Sequence, residues 1–91
     1  MKDRQKLFLE KIVNLTMEDT VIDYYNGEMY FNFLPTPSLR GPFRFNSPLF
    51  FLRSFFSKYC INTFGLNEEE INYVWGEYRV KLRNKTESDE R

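Results

Sequence analysis

The dipeptide Asn26-Gly27 lies between two short stretches in which apolar and polar residues alternate. Asn and Gly tolerate the positive φ angles that both central residues of a type I′ turn need, so this pattern is typical of a tight β-hairpin. A two-residue turn would pair Tyr25 with Glu28. One face of the hairpin would then carry Ile22, Tyr24, Met29, Phe31 and Phe33. Because an isolated hairpin is marginally stable in water, this face must pack against other elements.

The residues before the hairpin have the periodicity of an amphipathic α-helix from about Asp3 to Leu15. Its apolar side would carry Phe8, Leu9, Ile12, Val13 and Leu15. A second helix is predicted after the hairpin, from about residue 48 to 64. Asn46-Ser47 would cap its start, Pro48 would take the first helical position, and Gly65 would end it in a left-handed conformation.

A third helix is predicted to begin directly after Asn67. Asn67 and Glu70 have the spacing of a capping box, in which each side chain bonds the backbone of the other residue. Acidic residues cluster at the start of this helix and basic residues lie toward its end, which is the arrangement that the helix dipole favours. Residues 87–91 have no apolar side chain to bury and are predicted to form a flexible tail.

The segment between hairpin and second helix, residues 34–46, is too rich in Pro to pair as a central strand, so we predict a shaped loop. The chain is therefore predicted to be a small α+β protein in the order helix, β-hairpin, Pro-rich loop, helix, helix. A length of 91 residues suffices for one domain with its own core. We assign that domain to residues 1–86.

The composition argues against the commonest catalytic and metal-binding chemistries. The chain has no His and a single Cys, Cys60. General bases and nucleophile pairs that depend on His are therefore excluded, as are the usual zinc and haem ligand sets. We predict that the protein is not an enzyme and needs no metal or cofactor.

Cysteine usage and hydropathy also bear on location. A lone Cys is typical of a reducing environment, so we expect a cytoplasmic protein. The most apolar stretch, residues 48–64, is interrupted by Arg53 and Lys58 and is shorter than the ~20 apolar residues that a membrane-spanning helix needs. A membrane is therefore not expected as a partner.

The Pro-rich loop is the first candidate contact surface. It combines two guanidinium groups, on Arg40 and Arg44, with the rings of Phe43 and Phe45. Arg and aromatic residues are enriched at the energetic centres of protein interfaces. In the alternative interpretation, the two rings pack beneath the loop and the two arginines face solvent or pair with acidic residues.

The second candidate surface is a stripe on the third helix formed by Tyr73, Gly76 and Val80. Gly inside a helix costs about 1 kcal/mol relative to Ala, so its presence points to a packing or functional requirement. A similar stripe on the second helix would carry Phe50, Ser54, Ser57 and Ile61. In the alternative interpretation, which we favour for Phe50 and Ile61, the second helix is sandwiched and buries these side chains in the core.

These features favour a non-catalytic protein-binding module, which would be a small regulator or inhibitor of a larger protein or a subunit of an assembly. A homodimer, in which a second copy of the chain is the partner, is an alternative. The chain has ten Phe, six Tyr and one Trp, which is a large supply of interface-type side chains. The Asn-, Phe-, Tyr- and Lys-rich, Ala-poor composition suggests an AT-rich genome, such as that of a phage or mobile element.

Nucleic-acid binding is the alternative function. Residues 57–80 have part of the spacing of a helix-turn-helix motif, with Gly65 at the turn, and the Arg/Phe loop could stack on single-stranded nucleic acid. However, the would-be recognition helix begins with Glu68, Glu69 and Glu70. The chain also has 13 basic and 13 acidic residues, whereas DNA-binding proteins usually have a basic stripe. We therefore favour a protein partner.

Overall fold

The helices and the hairpin follow one another in the predicted order. A computed structural model, which describes residues 2–87, contains three α-helices and one three-stranded antiparallel sheet within that range. The elements are α1 (Asp3–Glu18), β1 (Thr20–Asp23), β2 (Glu28–Phe31), β3 (Phe43–Arg44), α2 (Phe50–Phe64) and α3 (Glu68–Glu87). The α+β class is confirmed. Glu87, the first residue of the predicted tail, is the last residue of α3, and residues 88–91 lie outside the described residues.

The hairpin pairs in a different register from the predicted one. Ile22 lies opposite Met29 and Asp23 lies opposite Glu28, so the predicted pairing of Tyr25 with Glu28 is wrong. The shift moves each residue of β1 to a partner two positions away. Because side chains alternate between faces with a period of two, this even shift leaves the apolar residues of both strands on the predicted face.

The loop of the hairpin explains the shift. It has four residues, 24–27, and Gly27 is its one residue with a positive φ, at 68°. Asn26 does not adopt the positive φ of a type I′ turn. Instead, the carboxylate of Asp23 accepts hydrogen bonds from the backbone N–H of Asn26 at 3.1 Å and from its side-chain Nδ2 at 2.8 Å. Four-residue loops of this kind are a common alternative to the two-residue turn.

The Pro-rich loop returns to the hairpin and adds a short edge strand. In β3, Phe43 pairs with Met29 and Arg44 pairs with Glu28. The backbone carbonyl of Arg40 accepts a 2.7 Å hydrogen bond from Phe31, which fastens the loop to β2 before β3 begins. Proline is tolerated at sheet edges, which is why this segment can pair although it could not form a central strand.

The two ends of α2 differ in how well the sequence predicts them. Gly65 ends the helix as predicted, with a φ of 67° and a 3.0 Å hydrogen bond from its N–H to the carbonyl of Ile61. The start is two residues later than predicted, at Phe50, and Leu49 occupies the capping position without a side-chain cap. The predicted cap at Asn46-Ser47 is wrong because the N–H of Ser47 bonds the carbonyl of Arg44 in a separate turn.

The capping box of α3 is confirmed. Oδ1 of Asn67 accepts a 2.9 Å hydrogen bond from the N–H of Glu70, and Oε1 of Glu70 accepts one of the same length from the N–H of Asn67. The second oxygen of Glu70 accepts a 2.7 Å hydrogen bond from Nε2 of Gln5 in α1. These bonds hold the pKa of Glu70 below its ordinary value because they stabilise the carboxylate form.

The capping box leads to a first prediction. We expect Asn67→Ala to lower the free energy of unfolding by about 1 kcal/mol, because the backbone N–H of Glu70 loses its acceptor. Ser47→Ala is the matched control and should change stability little, since Ser47 does not cap α2. Urea denaturation followed by circular dichroism measures both. An equal decrease in the free energy of unfolding for the two variants would contradict the assignment of Asn67, and not Ser47, as a helix cap.

The core lies where α1, α3 and the inner face of the sheet meet α2. Its apolar members are Leu9, Ile12, Val13, Met17, Met29, Phe31, Phe33, Leu34, Leu52, Phe56, Cys60, Leu66, Ile71, Val74, Tyr78 and Leu82. The buried hydroxyl of Tyr78 shares a 2.8 Å hydrogen bond with that of Thr20, and burial raises the pKa of Tyr78. The apolar side of the hairpin therefore packs on the helices, as its marginal stability requires.

Two groups of apolar side chains lie outside the core, contrary to expectation. Phe8 and Leu15 were predicted on the buried side of α1 but are exposed, because α1 turns a narrower face to its neighbours. Phe50 and Ile61 of α2 were expected to be buried between elements, but 83% and 50% of their surfaces are exposed. The interpretation of α2 as a sandwiched helix is therefore wrong for these two residues.

Candidate binding surface

The two aromatic residues of the Pro-rich loop contribute mainly to the fold. The ring centroid of Phe43 lies 5.6 Å from that of Phe31 and 5.1 Å from that of Phe51. Phe45 makes an edge-to-face contact with Tyr24, with centroids 6.3 Å apart. Both rings are half-buried. They pack against the protein as the alternative interpretation of the loop describes.

The two arginines of the loop have different surroundings. Nε of Arg40 donates a 2.6 Å hydrogen bond to the backbone carbonyl of Leu34, so this half-buried side chain braces the loop. Arg44 is exposed on the edge strand, with Glu28 as its cross-strand neighbour. The loop therefore presents Arg44 to solvent, while Arg40 has a structural contact.

The predicted stripe on α3 has one member in contact with α1 and two that are exposed. No described heavy atom beyond the neighbouring backbone lies within 4 Å of a Cβ placed on Gly76, and 48% of the surface of Val80 is exposed. Tyr73 is half-buried and its hydroxyl lies 3.5 Å from Oε2 of Glu10, so it faces α1. Desolvation, together with the Glu10 carboxylate, raises the pKa of Tyr73. Gly76 and Val80 thus form the outward part of the stripe.

A tryptophan flanked by two arginines joins α3 to α2. The guanidinium carbon of Arg53 lies 6.0 Å from the ring centroid of Trp75, and that of Arg79 lies 5.5 Å from it. Nη2 of Arg53 also donates a 2.6 Å hydrogen bond to Oδ1 of Asn72. Each cation–π contact at a partly exposed site contributes about 0.5 to 1 kcal/mol.

Sequence reasoning missed this cluster. Arg79 follows Trp75 by one helical turn, a spacing at which side chains meet, so this half of the cluster carries a readable signal. Arg53 lies on another helix, and no local pattern connects it to Trp75.

A groove opens beside this cluster, between residues 45–49 and the second half of α3. Its volume is about 500 Å³. The residues that line it are Met29, Phe45, Asn46, Ser47, Pro48, Leu49, Arg79, Leu82, Arg83, Thr86 and Glu87. Met29 and Leu82 are buried and form its floor, whereas Arg79 and Arg83 are exposed. We call this feature the arginine groove.

A second cavity of about 450 Å³ lies between the first half of the Pro-rich loop and α2. Phe33, Leu34, Phe55 and Tyr59 contribute apolar walls, and Lys58 is the charged side chain among its lining residues. The ammonium of Lys58 lies 5.6 Å from the ring centroid of Phe55. This cavity is separate from the arginine-flanked tryptophan.

Cys60, the sole thiol of the chain, is unsuited to nucleophilic chemistry. Its side chain is fully buried, and burial raises its pKa to about 12. A thiol with such a pKa is almost entirely protonated at neutral pH, whereas the thiolate is the reactive form. Residues 2–87 also bring together no group of three or more Cys, Asp or Glu side chains suited to holding a metal ion. Among these residues, no helix combines the length and apolarity that crossing a membrane requires.

The burial of Cys60 leads to a second prediction. We expect a thiol-reactive maleimide to label the native protein at pH 8 about a hundredfold more slowly than the urea-unfolded protein, because labelling requires opening of the core. Mass spectrometry of timed samples measures the two rates. Similar rates would show that the core around Cys60 opens readily.

Comparisons with protein-family models, with curated proteins and with solved structures found no significant match to this chain.

Proposed function

We propose that the protein is a non-catalytic protein-binding module, which acts as a small regulator of a larger protein or as a subunit of an assembly. The observation that carries this proposal is the arginine-flanked Trp75, on two helices that also carry exposed apolar side chains. Trp and Arg are the residue types most enriched at binding hot spots. We call the proposed contact surface the α2–α3 face and define it by Phe50, Arg53, Trp75, Gly76, Arg79 and Val80.

Arg53 connects the two helices of the α2–α3 face. Phe50 and Arg53 are one turn apart on α2, and Arg53 reaches α3 through its hydrogen bond to Asn72. Gly76 follows Asn72 by four residues and Val80 follows Gly76 by four, so these residues form one row on α3. Single exposed apolar residues are ordinary in proteins. Exposed Phe50 and Val80, on the two helices that hold the arginine-flanked tryptophan, are better explained by a partner.

Gly76 supports this interpretation because the monomer does not require it. A helix-interior Gly is about 1 kcal/mol less favourable than Ala, and a Cβ at this position would meet no described atom within 4 Å. Close approach of another backbone would account for the absence of a side chain. This partner is either a different protein or a second copy of the chain.

The main experiment is affinity capture from a lysate of the source cell with matched variants. We expect Phe50→Ala and Gly76→Leu to reduce recovery of a specific partner about tenfold or more, because they remove an exposed anchor and block close approach. Tyr25→Ala is the matched control, since Tyr25 is also an exposed aromatic, at 95%, but lies on the hairpin loop. Phe50→Ala and Tyr25→Ala should keep wild-type stability to within about 0.5 kcal/mol, and Gly76→Leu should be at least as stable as wild type because Leu is favoured over Gly in a helix.

The outcomes separate the candidate partners. Recovery of the same protein with wild type and with all three variants would contradict the α2–α3 face as the contact surface. A wild-type dimer that Gly76→Leu converts to a monomer in analytical ultracentrifugation would identify a second copy as the partner. Treatment of the lysate with nuclease tests the nucleic-acid alternative, because proteins bridged by nucleic acid would be lost.

A further inference from the structure

We infer that the arginine groove binds an acidic segment of the partner protein that inserts one large apolar side chain. This inference rests on the proposed function and names the chemistry of the partner. The groove adjoins the α2–α3 face because Arg79 belongs to both: it lies over Trp75 and lines the groove. A partner bound on that face would therefore extend into the groove.

The floor and size of the groove suit an apolar anchor. Buried Met29 and Leu82 form the floor, and Phe45 and Leu49 contribute apolar surface. The volume of about 500 Å³ falls within the range of about 300 to 1,000 Å³ that is typical of clefts that bury most of a bound group. A Phe, Trp or Leu side chain can therefore enter while its backbone remains at the mouth.

The charges at the groove select an acidic partner. Arg79 and Arg83 are one helical turn apart and both are exposed, so their guanidinium groups can face the same bound segment. Guanidinium groups bind carboxylates through paired hydrogen bonds, which adds specificity as well as attraction. Among the lining residues, Glu87 is the one acidic group.

The same features favour an acidic protein segment over nucleic acid. A nucleic-acid strand would need a series of cations along its phosphates and aromatic faces on which bases can stack. The ring of Phe45 is half-buried against Tyr24, and Glu28 lies opposite Arg44 on the sheet. The apolar floor of the groove can hold one apolar side chain of a protein partner, and the two arginines at its rim can bind Asp or Glu residues on either side of that side chain.

A peptide-display selection against the intact protein tests this inference. The probe is a library of random peptides of about twelve residues, and binding of enriched peptides is then measured by fluorescence anisotropy of the dye-labelled peptide. We expect enriched peptides to carry several Asp or Glu residues around a Phe, Trp or Leu. Their affinity should fall about tenfold or more when Arg79→Gln and Arg83→Gln are combined.

Two controls keep this test specific. The combination of Arg4→Gln and Lys11→Gln removes the same charge from exposed positions on α1 and should leave affinity within about twofold. Synthetic peptides in which Asn and Gln replace Asp and Glu are tested on the wild-type protein. Their loss of affinity should equal the loss that the arginine double variant shows with the acidic peptides. This second comparison does not depend on the folding of any variant.

Several results would overturn the inference. These are enrichment without an acidic excess, equal affinity for acidic peptides and their amide versions, or tighter binding of an oligothymidine than of any selected peptide. Failure of the groove is distinguishable from failure of the proposed function. A captured partner that depends on Phe50 and Gly76, but that an acidic peptide does not displace, would retain the proposed function and reject the acidic segment.

Discussion

Gly41→Ala is expected to lower the free energy of unfolding by about 3 kcal/mol. The φ angle of Gly41 is 129°, a backbone conformation that side-chain-bearing residues rarely adopt. A Cβ at this position would lie 2.8 Å from the backbone oxygen of Met29 and 3.3 Å from the Cα of Tyr30. Both neighbours belong to the central strand, so they cannot move without disturbing the sheet.

Two other glycines provide the controls for this prediction. Gly27 also has a positive φ, but a Cβ added there would meet no described atom within 4 Å, so Gly27→Ala should cost only about 1 to 2 kcal/mol. Gly76→Ala should raise stability by about 0.5 to 1 kcal/mol, because the helix interior favours Ala and the space is open. Urea denaturation of the three variants measures their free energies of unfolding and tests the expected order. A loss for Gly41→Ala no larger than that for Gly27→Ala would contradict the close approach of the loop to β2.

Phe56→Ala is expected to lower the free energy of unfolding by about 3 to 5 kcal/mol. Phe56 is fully buried on α2 and its ring contacts four others. The centroid distances are 5.6 Å to Phe33, 5.0 Å to Trp75, 5.1 Å to Tyr78 and 6.5 Å to Tyr59. Truncation would leave a cavity among groups that α2, α3 and the loop hold in place. Small domains are stable by only about 5 to 15 kcal/mol, so much of the total would be lost.

Phe50→Ala is the matched control, since it removes the same side chain from the exposed end of the same helix and should change stability by less than about 0.5 kcal/mol. Trp75 fluorescence gives a second readout. Its emission should shift to longer wavelength in folded Phe56→Ala because the cavity lies against the indole. Similar stability of the two Phe variants would contradict the position of the core.

The Phe56 prediction also bears on the proposed function. The ring of Phe56 packs against Trp75 in the core, and the guanidinium groups of Arg53 and Arg79 flank the same tryptophan. Loosening the core is therefore expected to weaken binding indirectly. The variants that test the α2–α3 face directly, Phe50→Ala and Gly76→Leu, avoid this complication because both positions are exposed.

The sequence was a good guide wherever the stabilising interaction is local. The capping box of Asn67 and Glu70 and the left-handed end of α2 at Gly65 involve atoms a few residues apart, so short motifs encode them. The division of the hairpin residues between two faces is equally local, because it follows from alternation along the strand. Together, these signals sufficed for the α+β class and the order of the elements.

The prediction was wrong where a short motif is compatible with more than one local backbone conformation. Asn26-Gly27 permits a two-residue turn, but the bonds from Asn26 to Asp23 stabilise a longer loop and shift the register. Asn46-Ser47-Pro48 has the composition of a helix start, yet the N–H of Ser47 bonds Arg44 instead. In both places, side-chain and backbone partners a few residues away compete on nearly equal terms.

The order of the helices, the cap of α3 and the existence of the hairpin could all be predicted from local patterns in the sequence. Which Arg and aromatic side chains meet depends on how distant segments pack. Arg53 and Trp75 are 22 positions apart in the chain, and the arginine groove combines residues of β2, the Pro-rich loop and α3. Packing free energy between distant segments sets these contacts, and it also leaves Phe8, Leu15 and Phe50 outside the core. The periodicity of apolar residues indicates which face of a helix is apolar, whereas the elements that pack against the helix determine how much of that face is buried.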